Sequence, residues 1–541
     1  MSTTHTTEVD PTATLTTPAG PGTPAAALRP GRMETDRLAT RIAVAEGRER
    51  KSITSPLTGE VIGEVPLGTR EDVEVAVAEC RRVQRRWAQT PVKQRAAVLL
   101  RYHDLVLDHQ EELLDLIQAE NGKARVWAFE EIMDQAVTAR YYARLAPRVL
   151  RPTSRLTAAP GLITAKEHHL PKGVVGVISP WNYPLVLATS DALAALVAGN
   201  GIVIKPDSQT PFTALRAFEL LQEAGLPEGL VQVITGPGTQ VGSAIIDTTD
   251  YVMFTGSTET GRAIAEQAAG RLVGFSAELG GKNPMIITAD VDLDRAVETA
   301  TNGCFANTGQ LCISIERIYV EQAIASAFTN RFAARVNALT LGAEQAYGPE
   351  VGALASKAQL DKVTQHIADA VGKGALVVAG GNARPDIGPF FHEPTVLTDV
   401  TPDMDLHREE TFGPVVAVYP VQSVDEAVEQ ANDTDYGLNS SVLCGDVKKG
   451  KAIAARLLSG TVNVNDGYSS GWAAVDAPMG GMKTSGVGRR HGREGLLKYT
   501  ESQTIAVRSA LADKLMSPGD DAPAFAKRFT AMLKAAKHLP R

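Results

Sequence analysis

Cysteine is scarce in this 541-residue chain: Cys80, Cys304, Cys312 and Cys444 are widely spread and form no CxxC pair. That usage fits reduced thiols in a cytoplasmic protein and points away from a disulfide framework or a metal site. Basic charge is not in excess either. There are 54 Lys and Arg against 62 Asp and Glu, a formal charge of −8, which argues against nucleic acid as a partner because such binders present a basic face. A secretory leader is missing: Met1 to about Arg32 is rich in Thr, Pro, Ala and Gly, lacks a basic start and an apolar core, and reads as a disordered tail. Long apolar runs are missing as well. The stretch from Gly173 to Ile204 has no Lys or Arg, but Asn182, Pro184, Asp191 and Asn200 cut it into pieces too short to span a bilayer. A buried strand–loop–helix–strand unit accounts for it better. No internal repeat stands out.

What is present is an ordinary globular mixture, 44% apolar and 21% charged. The length exceeds what one hydrophobic core supports and predicts two or three domains. From about residue 71 to 145 the spacing predicts amphipathic helices, as in the run 95–102. From Gly173 onward short apolar runs (174–178, 201–204, 231–234, 251–254) alternate with helical segments such as 213–224, the pattern of a doubly wound α/β domain with buried parallel strands. A second alternation follows Gly281, with strands expected at 285–288, 317–320, 415–420 and 461–464 and helices near 293–302 and 324–339. Residues 162–165 alternate like a strand and suggest a hairpin arm. Beyond Ser509, Phe525, Phe529, Met532, Leu533 and Ala536 form one helical stripe flanked by Lys and Arg. A membrane-surface helix has this pattern, but docking onto the protein itself or a neighbouring subunit is the plainer expectation.

The chemistry concentrates in two segments set 34 residues apart: Glu278-Leu279-Gly280-Gly281-Lys282-Asn283-Pro284 and Phe305-Ala306-Asn307-Thr308-Gly309-Gln310-Leu311-Cys312. One offers a carboxylate beside paired glycines, the other a thiol behind a small, polar approach: a candidate general base and nucleophile. Taken singly, a lone Cys is more often a small buried hydrophobe and a lone Glu a solvated surface group. A third segment, Phe254-Thr255-Gly256-Ser257-Thr258-Glu259-Thr260-Gly261, follows an apolar strand and opens a helix that Ser257 can cap, favouring a pyrophosphate. It is not the GxGxxG of ordinary dinucleotide folds. Gly238, Gly242 and Lys205 lie upstream in the same region.

The order, spacing and wording of these segments resemble the aldehyde dehydrogenase superfamily over about Arg50 to Ile505. Further markers of the resemblance are Pro180-Trp181-Asn182-Tyr183-Pro184, Lys205-Pro206-Asp207-Ser208-Gln209-Thr210-Pro211, Glu409-Glu410-Thr411-Phe412-Gly413-Pro414-Val415 and Pro478-Met479-Gly480-Gly481 before Ser485-Gly486. The resemblance implies two doubly wound α/β domains, one cofactor-binding (33–152 and 172–280) and one catalytic (281–494). It adds a β-hairpin oligomerisation arm (153–171 and 495–508), a disordered tail (1–32) and a C-terminal amphipathic extension (509–541). Cys312 is then the nucleophile, with a thiol pKa lowered locally. The Asn182 amide and Cys312 N–H form an oxyanion hole, and Glu278 is the base that hydrolyses the thioester. Cofactor contacts carry over to Ile178, Trp181, Lys205, Ser208, Gly238, Gly242, Gly256, Ser257, Leu279, Glu410 and Phe412. The implied assembly is a homodimer or homotetramer acting on a small-molecule aldehyde.

Three departures from the family pattern matter. Members preferring NAD commonly carry Glu at the Ser208 position; its loss removes repulsion against a 2′-phosphate, so NADP is the expected cofactor, with NAD possible. Asp191 stands where many hydrolytic members have a Lys thought to help proton transfer. Over its whole length the sequence is most similar to the NADP-dependent succinate-semialdehyde dehydrogenase branch, yet Ser190 and Ala306 occupy the positions of the two arginines that clamp the substrate carboxylate in the best-understood such enzymes. Neither can replace a bidentate Arg–carboxylate contact. The expected substrate is succinate semialdehyde; the alternatives are a neutral aliphatic or aromatic aldehyde, or a binding protein without turnover. Cys304 and the methionines Met253, Met285 and Met479 are expected to pack the core, and Arg489-Arg490-His491 to serve subunit structure.

Overall fold

The computed structural model describes residues 31–518 and 521–537. Most of the tail expected at 1–32 lies outside the described residues. The segment 71–145 forms helices Arg70–Trp87, Val92–Asp108, Gln110–Asn121 and Arg125–Val149. Each turns a row of apolar side chains inward, as the sequence spacing requires. The apolar stretch after Gly173 is a buried strand (Val174–Ile178), a helix with every residue buried (Pro184–Ala198) and a second buried strand (Gly201–Lys205). Gly199 ends that helix in the left-handed conformation, which lets the chain reverse into the strand.

Two mostly parallel sheets, each with one antiparallel edge strand, organise the molecule. In the six-stranded sheet, Val174–Ile178 lies between Gly201–Lys205 and Tyr251–Thr255. The chain builds outward on one side to Val231–Val233, then crosses back and builds outward on the other to Gly274–Glu278. The strand order therefore reverses between Ile178 and Thr255, and ligands bind parallel sheets at the carboxyl ends of the strands beside such a reversal. The seven-stranded sheet has Ile315–Glu321 and Asn283–Ile287 near its middle, flanked by Val415–Val421 and Asn439–Leu443. The strands Gly274–Glu278, Asn439–Leu443 and Thr395–Thr398, which lack strong period-2 or apolar signals, complete the sheets. The strand Gly274–Glu278 of one sheet finishes at Glu278, and five residues later Asn283 begins a strand of the other.

A three-stranded antiparallel sheet, Thr153–Arg155, Ile163–Pro171 and Thr500–Arg508, stands apart, with the last strand exposed from Glu501 onward. The C-terminal helix Ala522–Ala536 buries none of its residues. Of the two dockings expected, the one onto its own chain does not occur among the described residues, whose hydrophobic clusters include none of its apolar stripe; the neighbouring-subunit alternative stands.

Candidate active site

A cleft of about 540 Å³ opens at the carboxyl ends of the six-stranded sheet, lined by Ile178, Trp181, Lys205, Gly238, Gly242, Gly256 and Ser257 among others. Ser257 caps the helix Thr258–Gly270, its hydroxyl accepting from Thr260 N at 3.3 Å. A Cβ on Gly238 would meet nothing within 4 Å, whereas one on Gly256 would strike the Phe254 ring at 2.5 Å. Lys205 is buried, faces no carboxylate in hydrogen-bond contact, and has its pKa lowered by that burial. A helix N-terminus, a buried cation and a glycine wall together suit a dinucleotide pyrophosphate and ribose.

Not every expected cofactor contact lines this cleft. Asp207 does and Ser208 does not. Glu410 and Phe412 lie further along, toward the cysteine: Glu410 accepts from Gly281 N at 2.8 Å, and the Phe412 ring meets Trp181 edge-on at 5.5 Å. Leu279 is buried against Gly261, where a Cβ would come within 2.6 Å of its side chain.

The two central segments are pressed together. A Cβ on Gly281 would fall 2.8 Å from the Cys312 carbonyl, and one on Gly280 would fall 2.5 Å from Glu410, so the paired glycines are what lets Glu278, Glu410 and Cys312 share one region. Asn283 Nδ2 donates to the Cys312 carbonyl at 2.8 Å. The approach to the thiol is strained: Asn307 and Thr308 hold φ of 49° and 56°, and at Gly309 (φ 69°) a Cβ would collide with the Gly413 carbonyl at 2.1 Å. This bend ends at the only partly exposed cysteine of the four. Cys304 packs in the core, and Met253 and Met285 are likewise buried.

Asn182 is fixed from three sides. Its backbone carbonyl accepts from Lys123 Nζ at 2.7 Å and Asn307 Nδ2 at 3.0 Å, while its own amide donates to the Gln310 carbonyl at 3.1 Å. Lys123 is completely buried, paired with Glu131 at 2.7 Å, and Glu131 in turn accepts from Leu185 N and Val186 N at the start of the helix Pro184–Ala198. A buried pair with every oxygen satisfied in this way holds a backbone turn rigidly.

Glu278 is 6% exposed and makes no hydrogen bond to a described residue through its carboxylate. Burial raises its pKa to about 7, and Arg490 pulls it partly back. The thiol behaves contrary to expectation. Burial pushes Cys312 up to about 12, Glu410 and Glu278 add to the rise, and Arg490 only partly opposes it. The one cation that acts on the sulfur, Arg490, does not outweigh that burial.

Cys312 and Asn182 open into a narrow cavity of about 40 Å³ whose wall also includes Ser190, Asp191, Arg490 and His491. Asp191 pairs with Arg490 at 2.7 Å and with Lys498 at 2.8 Å, and accepts from the Tyr499 hydroxyl at 2.7 Å. Those cations hold its carboxyl far below its ordinary value despite burial. Arg490 and His491, expected to serve subunit structure, also line the cavity that holds the thiol. The sequence carried half of a signal: Asp191 inside an apolar helix needs a cation, but nothing local says which one. Among the described residues no group of His, Cys, Asp or Glu is placed to hold a metal ion.

The aldehyde dehydrogenase family profile matches residues 43–505. The chain belongs to that family. Among its relatives, a protein of Mycolicibacterium smegmatis provisionally named succinate-semialdehyde dehydrogenase (NADP) is 53% identical over 93% of this chain and 98% of its own. One of Mycobacterium tuberculosis, provisionally named succinate-semialdehyde dehydrogenase (NADP) 2, is 56% identical over 87% of this chain and 91% of its own. Among solved structures, the NAD+ complex of an aldehyde dehydrogenase from Bacillus cereus superposes with a TM-score of 0.82 at 37% identity, over 86% of this chain and 94% of that one. The family match spans both large sheets and most of the three-stranded antiparallel sheet.

Proposed function

We propose that this aldehyde dehydrogenase oxidises succinate semialdehyde to succinate with NADP, in the cytoplasm. The observation that carries the reading is one cavity presenting the Cys312 thiol, the Asn182 side chain and a buried cation together, beside a separate nucleotide-sized cleft. The names of the mycobacterial relatives supply the substrate and cofactor. NADP, when bound, supplies the acceptor for the hydride.

Cys312 attacks the aldehyde carbon, forming a C–S bond, as its proton passes to a base. With the thiol raised to about 12 by burial, that transfer, which does not require Glu278, is coupled to attack rather than completed beforehand. The Asn182 amide exchanges the Gln310 carbonyl for the substrate oxygen, and the Cys312 N–H is the second donor. Loss of hydride from the thiohemiacetal leaves a thioester. Glu278 then takes a proton from water, the new C–O bond displaces sulfur, and the acid leaves with the thiol restored. Glu410 on Gly281 and Phe412 on Trp181 hold the nicotinamide end of the cleft, and Lys205, Gly238, Gly242, Gly256 and Ser257 the phosphate and adenosine end. The exposed strand Thr500–Arg508, with Ile505 and Val507 open to solvent, suits pairing in a homodimer or homotetramer.

Initial rates with NADP test the substrate, comparing succinate semialdehyde with butanal and using Cys312→Ala as blank. A preference for the acid aldehyde above about a hundredfold, or about 3 kcal/mol, is the expected result. Equal rates would establish a general aldehyde dehydrogenase.

A further inference from the structure

We propose that Arg490, with His491 beside it, is the site that receives the distal carboxylate of the substrate, in place of the arginines absent at Ser190 and Ala306. The inference rests on the succinate-semialdehyde reading above and names how that substrate would be recognised.

The cavity wall provides few candidates. Its apolar part comes from Tyr183, Leu187, Leu311 and Ile313, and Ser190 is already committed, donating to Asp134 at 3.1 Å and accepting from Gln135 at 2.9 Å. Ala306 is buried, has no polar side chain, and does not line the cavity. Arg490 is the only Lys or Arg in the lining. Its Nη2 serves Asp191 and also donates to the Thr255 hydroxyl at 2.9 Å. Among the described residues its buried Nε has no hydrogen-bond partner, and neither has the buried Nδ1 of His491 nor, despite its ion pair, Asp191 Oδ2.

Two unpartnered nitrogens on adjacent residues of one small cavity are unusual, because native proteins rarely leave buried donors unsatisfied. Charge leads to the same place. Asp191 is opposed by both Arg490 and Lys498 and accepts from Tyr499, so the cluster keeps one positive charge that Asp191 does not cancel. Two other carboxylates lie near: Asp134 is spent on Trp472 Nε1 at 2.6 Å and on Ser190, and Glu278, which Arg490 also faces, is raised by burial to about 7 and so is only partly ionised near neutral pH. A buried, unpartnered guanidinium N–H facing a narrow cavity is matched by a carboxylate, and by nothing but the reacting carbonyl in a neutral aldehyde.

Arg490 could instead act only through its neighbours, as the counter-ion of Asp191 or as the charge beside Glu278. Those roles affect every substrate alike. The test is therefore a ratio: kcat/KM for succinate semialdehyde over that for butanal, both with NADP, in wild type, Arg490→Gln and Arg490→Lys. The Gln variant is expected to lower the ratio about a hundredfold, mostly through KM for the semialdehyde. Inhibition by succinate should weaken by a similar factor. The Lys variant, which keeps a charge against Asp191 but not the paired donors, should lower the ratio about tenfold. If Arg490→Gln does not fold, the Lys variant and its succinate inhibition carry the test. Equal losses on both substrates, or a ratio unchanged in the Lys variant, would overturn the assignment. A wild-type ratio near one refutes the succinate-semialdehyde reading and the carboxylate site with it. A high wild-type ratio retained in both variants refutes the Arg490 assignment alone.

Discussion

Glu278→Gln is the substitution that separates the two halves of the proposed reaction. The Glu278 carboxyl lies at the end of a buried strand, unassisted by hydrogen bonds from the described residues, and burial raises it to about 7. Only the ionised form takes a proton from water, so hydrolysis should rise with pH and level off above about 7. At pH 5 the ionised fraction of such a group is about 1%, a roughly hundredfold loss. An ordinary surface glutamate near 4.5 would still be mostly ionised there. The assay is kcat at saturating aldehyde and NADP from pH 5 to 9, with rapid mixing to resolve the first turnover. Removing the base is expected to lower steady-state turnover by about 10² to 10⁴. The variant should still release up to one equivalent of NADPH per active site, because hydride loss precedes hydrolysis. It should also lose the inflection near 7. A wild-type inflection at 4 to 5, or an inflection near 7 that survives in Glu278→Gln, would refute the assignment of the base and the argument from burial.

Three further outcomes follow from the same geometry. The raised carboxyl costs stability once ionised: its stabilising contribution is complete below the unfolded value near 4.5 and is lost as pH rises through about 7. Glu278→Gln should therefore be more resistant to unfolding than wild type at pH 8, by up to about 3 kcal/mol, and nearly equal to it at pH 4.5, as read from denaturant curves; a difference independent of pH would contradict this. Ser208→Glu should lower kcat/KM for NADP by about tenfold or more while sparing NAD, and an unchanged ratio would show that Asp207 and Lys205, which line the cleft, set the preference instead. Ending the chain after Asp521 removes a helix that buries none of its residues in this protomer, so activity should persist and the melting temperature should stay within about 2 °C. A larger drop would mean that the helix packs on a neighbouring subunit.

Much of the fold was legible in local patterning. Short apolar runs bounded by glycine and proline marked the parallel strands at 174–178 and 251–255, and the helical periodicity of 71–145 was equally plain. The strands 274–278 and 439–443 were less so, because polar residues such as Ser276, Glu278 and Asn439 sit within them; Asn439 is satisfied only by distant partners, the Ile313 and Gly467 carbonyls.

The site divides in the same way. By itself the sequence determined the nucleophile and base candidates, the glycine pairs and the phosphate-binding turn, because each is a local pattern of residue types whose chemistry travels with it. It also exposed the missing arginines at Ser190 and Ala306, since an absence at a known position is legible without coordinates. Only the tertiary structure decided the charges around them. The pKa of Cys312 went up rather than down because depth of burial and the nearness of Glu410 and Glu278 are properties of packing. Arg490 reached the cavity because the strand Gly486–Val487 pairs with the base strand and carries the following residues beside Glu278 and Asp191. Asp191 and Arg490 are 299 positions apart in the chain, and no local pattern links a carboxylate to a cation at that separation. Electrostatics depends on distance and solvent exclusion, and both are set when the chain folds.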